Sequence, residues 1–351
     1  MVCQLNLRPN LITGFTLRNR MAFESIEHLF ACPACSGNIE RNELEYRCAA
    51  CSRVFPIRYG IPDFRLMPDP YISVEAEIGK IEGFVAPGRS FADMVRAYYV
   101  LTPESPPSLH QRYMTAMDAA IARGAGLIAK LRARFPQSGT AAMLDLGCGT
   151  GGMTIAGISV YKTVVGVDVA LRWLVMGKQR LREAGIDAPL VCANAESLPF
   201  RSEVFDAVLA DSVVEHVRDS ERMRDEALRV LALNGAWFFV TNNRYSILPE
   251  PHVRLWGFGL LPRRMMESLA WKIRATPYKV RLHSRGELHR IFNDYGEVML
   301  PYYDTGELGP KNEGIRKTWD ALSSIGLVRS LAGAIVPQYF IAGRRQSATT
   351  R

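Results

Sequence analysis

Residues Met143 to Gly152, MLDLGCGTGG, constrain the fold of this chain more than any other stretch. Met143 to Leu146 reads as a buried strand, and it runs into three alternating glycines, Gly147, Gly149 and Gly151, and then into a helix. Lacking a Cβ, glycine lets the backbone pass close beneath a ligand and take up the φ angles of a tight strand-to-helix turn. A ligand held there meets backbone N–H groups and a helix N-terminus. The flanking sequence fits an α/β fold, because apolar strand runs alternate with helical segments such as Ala170 to Ala184.

Two ligand chemistries compete for such a turn. Gly147, Gly149 and Gly152 satisfy G-x-G-x-x-G, and Asp168 lies near the distance at which dinucleotide folds place a ribose-binding acid. Asp145, two residues before the first glycine, separates them. The run Leu144-Asp145-Leu146-Gly147-Cys148-Gly149-Thr150-Gly151 resembles the first motif of the class I S-adenosylmethionine-dependent methyltransferases, and the likeness is to the methyltransferase type 11 kind. In that family the acid helps to hold the methionine amino group.

Further segments follow the family's order. Thr163 to Asp168 reads as a second buried strand ending in a carboxylate that can accept both hydrogen bonds of a ribose diol. Cys192 to Glu196, followed by Leu198-Pro199-Phe200, resembles the adenine corner, with Asn194 where Asp is commoner; its carbonyl oxygen can accept from the adenine amine. Phe205 to Asp211 resembles the fourth strand, and Leu231 to Val240, with the Asn234-Gly235 turn, the step into the fifth. The resemblance covers residues 140 to 245 best. It implies a Rossmann-like, doubly wound seven-stranded sheet, mostly parallel with an antiparallel final strand, closed by Gly296 to Leu300 and Ile335 to Ala342. It also implies cofactor contacts from Asp145, Gly147, Gly149, Gly151, Asp168, Val169, Asn194, Ala195, Glu196, Asp211 and Ser212.

Four cysteines mark a second module. Cys32-Pro33-Ala34-Cys35 and Cys48-Ala49-Ala50-Cys51 are two C-x-x-C knuckles twelve residues apart, which can bring four thiolates to the corners of a tetrahedron around a structural Zn2+. A pair of disulfides is the alternative, one that an intracellular enzyme seldom keeps. Cys3, Cys148 and Cys192 have no partner at ligand spacing. The following run, Arg53 to Phe64, resembles the small zinc ribbons of the Trm112 type, which bind and stabilise methyltransferases. The match covers residues 29 to 66, so the ribbon is fused here to its client. Four thiolates leave the metal no open position, which makes it a folding element and not a catalyst.

These modules give the expected organisation: an N-terminal extension (1–28), the ribbon (29–66), a helical linker or lid (67–138) and the methyltransferase domain (139–351) with an insertion at about 244–290. The linker holds a Pro-rich break (Pro103, Pro106, Pro107) and a helical run from Leu109 to Phe135. Family members often fold this segment over the cofactor, which makes Tyr98 and Tyr99 candidates for the substrate wall.

Bulk properties exclude several classes. With 351 residues and 48% apolar content, the chain can bury a full core and is expected to be a soluble globular protein. The best candidate for a membrane span, Ser323 to Gly343, is broken by Arg329 and Pro337. The first residues carry Arg8, Arg18 and Arg20 without an apolar run after them, so a secretory signal is not expected and the expected location is cytoplasmic. The net charge of +8 is concentrated: residues Arg244 to Arg290 hold ten Lys and Arg against three acids. Such a stretch is either a solvated helical face or a funnel toward an anionic substrate.

In these folds the acceptor sits beyond the carboxyl ends of the strands. After the fourth strand come Asp211-Ser212-Val213-Val214-Glu215-His216, which lack the Asn/Asp-Pro-Pro-aromatic run of adenine and cytosine N-methyltransferases. His216 is a candidate general base, with Glu215 beside it, since imidazole titrates near neutrality; orienting the following helix is its other reading. After the fifth strand, Asn242 to Arg264 is rich in Pro, Gly, Trp and cations, and resembles a cap of bacterial natural-product and glycan methyltransferases. Asn243, Arg244, His252, Arg254, Trp256 and Arg263 are its substrate-binding candidates, and His252 and Glu250 are further candidate bases. A structural cap with surface arginines is the alternative.

Three functions remain open: methylation of a small metabolite with an anionic group at oxygen, RNA methylation guided by the ribbon, and a non-catalytic cofactor-binding subunit.

Overall fold

The computed structural model describes residues 26–102, 107–246, 248–274, 277–295, 298–302 and 335–345. Nearly all of the N-terminal extension, Cys3, Pro103, Pro106, Gly296 and most of Ser323 to Gly343 lie outside the described residues.

The N-terminal module is a four-stranded antiparallel meander of β1 (Ile39–Arg41), β2 (Glu45–Cys48), β3 (Val54–Arg58) and β4 (Ile61–Pro62). The two knuckles are built alike. In each, the residue after the second cysteine turns left-handed, Ser36 at φ 59° and Ser52 at φ 57°, and its N–H returns to the carbonyl of the first cysteine. The ribbon is continuous with the rest of the molecule. Phe30, Tyr46, Phe55 and Phe64 pack against one another, and Phe30 extends the cluster to Phe200, which packs edge-on to Phe205. The Phe64 N–H donates to the Cys192 carbonyl at 2.7 Å, which ties the end of this module to the seven-stranded sheet. Burying aromatic rings of this size stabilises the junction by about 1.5–3 kcal/mol each.

Three helices connect the modules: α1 (Val74–Phe84), α2 (Phe91–Val100) and α3 (Pro107–Arg134). Ser73 and Ser90 cap the first two, each accepting a backbone N–H three residues on. Buried Arg65 donates to both Asp63 and Glu77, and Arg172 to both Asp69 and Glu77. This network pins α1 and the preceding strap, residues 65–73, onto the core. Pairing and hydrogen bonding are what make such buried charges tolerable.

The core sheet comprises β5 (Ala142–Leu146), β6 (Thr163–Asp168), β7 (Leu190–Cys192), β8 (Phe205–Asp211), β9 (Leu231–Asn242), β10 (Val298–Tyr302) and β11 (Gln338–Arg344). Its order is β7-β6-β5-β8-β9-β11-β10, with β7 through β9 parallel and β11 antiparallel to both neighbours. Helices α4 (Gly152–Gly157), α5 (Leu171–Glu183) and α6 (Ser220–Val230) follow β5, β6 and β8. Parallel strands covered by helices on both faces explain why β5 and β6 read as near-continuous apolar runs. α3 lies against α4 at glycine contacts, where a Cβ on Gly152 would stand 2.5 Å from that of Ala120. The segment after β9 forms a cap with α7 (Arg263–Arg274) around Val253, Phe258, Met266, Ala270, Tyr278 and Leu282, and the chain re-enters the core at α8 (Arg285–Phe292).

Candidate active site

The glycine turn adopts the conformation its sequence requires. Gly147, Gly149 and Gly151 have φ of 75°, 52° and 76°, a region unfavourable for residues with a Cβ. The Gly147 and Cys148 N–H groups donate to the Val167 carbonyl, and the Gly149 N–H donates to Asp168 Oδ2 at 2.9 Å. Asp168 Oδ1 accepts from the Ala170 N–H at 2.8 Å. The acid at the end of β6 therefore braces the turn at the end of β5.

Beyond these strand ends lies a cavity of about 300 Å3. Its floor is Gly147, Gly149, Asp168 and Val169; one side is Asn194, Ala195 and Glu196; the other includes Ser212, His216 and Arg218. Pro68, Asp69, Pro70 and Tyr71 of the strap close it from the ribbon side. Asp145 lies one residue inside the wall, fully buried, with Oδ2 accepting from the Thr154 hydroxyl at 2.6 Å and Oδ1 without a partner. Burial, opposed by the Thr154 bond, pushes its carboxyl up to about 7. Burial raises Asp168 as well, against the N–H donors of Ala170 and Gly149. Two buried carboxylates, one with an orphaned oxygen, beside a glycine turn open to the cavity form a donor set that fits a ligand with an ammonium and a diol, as S-adenosylmethionine has.

Several expected contacts are corrected by the geometry. Asn194 does not offer its oxygen to a ligand: Oδ1 accepts from the Leu66 and Met67 N–H groups at 2.9 and 3.0 Å, and Nδ2 donates to the Met67 carbonyl. It clamps the strap. Asp211 is held by Arg123 of α3 through bonds of 2.5 and 2.8 Å and does not line the cavity. Tyr98 and Tyr99 are core residues of α2, packed on Trp173 and Tyr113, so the lid is the strap and not this pair. Glu215 is buried, accepting from the Thr241 hydroxyl and the Asn242 amide; it secures the end of β9.

The cap candidates divide in the same way. Asn243 holds the Val336 carbonyl and the Tyr245 N–H. Arg244 donates to the Gly259 and Leu261 carbonyls, Arg263 pairs with Glu287, and Trp256 points to solvent. Arg254 closes the turn begun at Glu250, donating its N–H to that residue's carbonyl. These residues build the cap and do not face the cavity.

His216 and His252 do come together. Their Nε2 atoms are 3.2 Å apart, His216 Nδ1 stands 3.3 Å from the Tyr71 hydroxyl, and His252 Nδ1 is 2.5 Å from Glu250 Oε1. Glu250, 4% exposed, also accepts the N–H groups of His252 and Val253 and the Tyr278 hydroxyl. Burial and the neighbouring His252 push His216 down to about 3. Burial disfavours charge on His252 too, but the Glu250 carboxylate outweighs it and raises this imidazole. A chain of polar groups thus runs from Tyr71 at the cavity through His216 and His252 to a buried carboxylate. Tyr71, the rest of the strap and Arg218 carried no signal in the sequence beyond lying next to recognised motifs.

The four knuckle cysteines cluster separately, with all sulfurs within 4.8 Å of one another. Cys32 and Cys51 are 3.7 Å apart and Cys35 and Cys48 3.5 Å, far beyond a disulfide and close to the roughly 3.8 Å edge of a tetrahedron with Zn–S bonds of about 2.3 Å.

A methyltransferase domain family model matches residues 144–239. The ubiquinone/menaquinone biosynthesis C-methyltransferase UbiE of Cronobacter sakazakii is 30% identical over 184 residues, 50% of this chain and 73% of that protein. The protein of the same name from Vibrio parahaemolyticus is 28% identical over 188 residues, 50% of this chain and 71% of its own. The ubiquinone biosynthesis O-methyltransferase of Bartonella bacilliformis is 30% identical over 102 residues, 29% of this chain and 41% of that one.

Proposed function

The chain belongs to the class I S-adenosylmethionine-dependent methyltransferases, and from that premise we propose that it methylates a hydroxyl oxygen on a small-molecule acceptor, with His216 receiving the hydroxyl proton. The cofactor, when bound, supplies a methyl group already activated on a sulfonium, so the reaction needs in-line positioning and a proton acceptor. Asp168 is assigned to the ribose and the free oxygen of Asp145 to the methionine ammonium. The acceptor hydroxyl takes the place of the Tyr71 hydroxyl at His216 Nδ1. Its proton goes to Nδ1 as the proton on His216 Nε2 passes to His252 Nε2, while Glu250 holds His252 through Nδ1.

The observation that carries this reading is the His216–His252–Glu250 chain at the cavity. The names of the relatives, which concern ubiquinone and menaquinone biosynthesis, support a small-molecule acceptor over RNA. An anionic substituent would meet Arg218, which lines the cavity and gives one guanidinium nitrogen to the Pro68 carbonyl of the strap, whereas Arg244 and Arg263 do not line the cavity and are engaged within the cap. Incubation with hydroxylated aromatic acceptors and isotope-labelled cofactor tests the proposal. A methoxy product that His216→Gln largely abolishes supports it; a ring-methyl product, or a rate indifferent to that change, refutes it.

For the N-terminal module we propose a Trm112-type ribbon at 29–66 with a structural Zn2+ on Cys32, Cys35, Cys48 and Cys51, joined by residues 67–138 to a catalytic domain at 139–351. Support comes from the sulfur spacing and the paired knuckles. Metal analysis finding no zinc would overturn it.

A further inference from the structure

Tyr71 stands between two spaces. One is the cavity at His216; the other is a larger one of about 920 Å3, walled by β3 of the N-terminal module, by the strap and by Lys279. Residues 68–71 line both, so the strap is the partition. The partition is stiff. Asn194 holds Leu66 and Met67, Arg218 holds the Pro68 carbonyl at 2.9 Å, Arg172 holds Asp69, and Lys279 holds the Pro70 carbonyl at 2.6 Å. Pro68 and Pro70 fix two φ angles, the Tyr71 N–H donates to Asp69 Oδ1, and Ser73 caps α1. The Tyr71 side chain is held far less. Among the described residues its hydroxyl has one hydrogen-bond partner, His216 Nδ1 at 3.3 Å, its ring meets the same imidazole edge-on, and the residue is 37% exposed.

We propose that Tyr71 is a gate: its phenol fills the acceptor's place at His216 when no acceptor is bound, and a change of side-chain rotamer moves it toward the larger space to admit one. The backbone stays pinned, and opening gives up one long hydrogen bond and one ring contact. The closed gate also names the class of acceptor. A position that takes a phenol with its hydroxyl on Nδ1 and its ring edge-on to His216 suits a phenol from solution that repeats both contacts. This inference rests on the reading of His216 as the group that meets the acceptor hydroxyl. A tethered phenol competes at high effective concentration, so the closed fraction sets how far acceptor affinity is lowered.

p-Cresol, which is the tyrosine side chain itself, tests the gate in the full chain with S-adenosylhomocysteine bound. Its affinity, read from the His216 Nδ1 resonance of protein with labelled imidazoles, should be tighter by about tenfold or more for Tyr71→Ala than for the wild type, the factor expected if the closed form holds about nine-tenths of the population or more. Tyr71→Phe keeps the ring and loses only the hydrogen bond, so it should fall between the two. Toluene, which has no hydroxyl, should bind Tyr71→Ala more weakly than p-cresol does. Both variants binding p-cresol no more tightly than the wild type would make Tyr71 a wall of the acceptor site and overturn the gate, and so would binding that leaves His216 unmoved. Toluene bound as tightly as p-cresol would overturn the phenol assignment. No methyl is transferred in this measurement, so it stands apart from the reaction: p-cresol that reaches His216 yet yields no 4-methylanisole with S-adenosylmethionine counts against oxygen methylation and not against the gate.

Discussion

His216 and His252 face each other through their Nε2 atoms at 3.2 Å, and only one of the two is backed by a carboxylate. The pair therefore takes its first proton on His252, where Glu250 stabilises the charge, and that charge keeps His216 neutral. Titration of labelled imidazoles by NMR should show His252 changing above the ordinary histidine range and His216 far below it. Matching midpoints near 6.5 would remove the asymmetry on which the relay depends.

The same asymmetry has a sign in stability. For His216, driven down to about 3, the folded state resists protonation, so stability is whole above about 6.5 and is lost as pH falls toward the folded value. His252 works the other way: its contribution is complete below about 6.5 and is lost as pH rises through its raised folded value. Urea unfolding of His216→Gln should therefore show a smaller loss of stability from pH 7 to pH 4 than the wild type. An equal loss would mean that His216 is not held neutral in the folded state.

Much of this fold is legible in the amino-acid sequence. The β5 and β6 strands and the left-handed glycines follow from apolar runs and from the absence of a Cβ, which are local properties. Tyr71 was not legible as a partner of His216, because the two are 145 residues apart and nothing local marks the strap as a cavity wall. Tyr98 and Tyr99 misled for the opposite reason: an aromatic pair looks like a ligand wall, yet α2 is amphipathic and turns both rings onto α5 and α3. Asn194 shows that a residue at a binding motif can be spent on the protein itself, and only its bonds to Leu66 and Met67 reveal it.

Asn194→Ala should free the strap. Losing the clamp would leave the Leu66 and Met67 N–H groups unpaired, at a cost of about 1–3 kcal/mol each if they stay buried. Cofactor affinity should fall about tenfold or more, with core stability less affected. Affinity at the wild-type level would show that the strap closes the cavity without it.

Asp145 should register cofactor binding as a proton. Its carboxyl, raised to about 7 by burial, is largely protonated in the free protein at pH 6 and would ionise against an incoming ammonium. Without ligand, its stabilising effect is present below about 3.9 and is lost as pH rises through about 7. Calorimetry in two buffers of different ionisation enthalpy should show proton release on binding at pH 6. Asp145→Asn should abolish the release and weaken binding.

Removing the metal should reach the cavity through the strap. Phe64 joins the ribbon to Cys192, and Leu66 and Met67 begin the lid. Chelation under denaturing stress, or Cys48→Ser, should lower both thermal stability and cofactor affinity. Loss of metal with neither affected would separate the ribbon from the site.

The pH dependence of methyl transfer in the wild type and Glu250→Gln bears most directly on the proposed relay. Base action needs both imidazoles neutral, so the single-turnover rate should rise with pH to a plateau as His252 loses its proton. Glutamine can still accept from His252 Nδ1 but no longer stabilises its charge, so the midpoint should move to lower pH and the plateau should fall. A midpoint unmoved by Glu250→Gln, or a rate without pH dependence across the histidine range, would contradict the assignment of His216 as the proton acceptor.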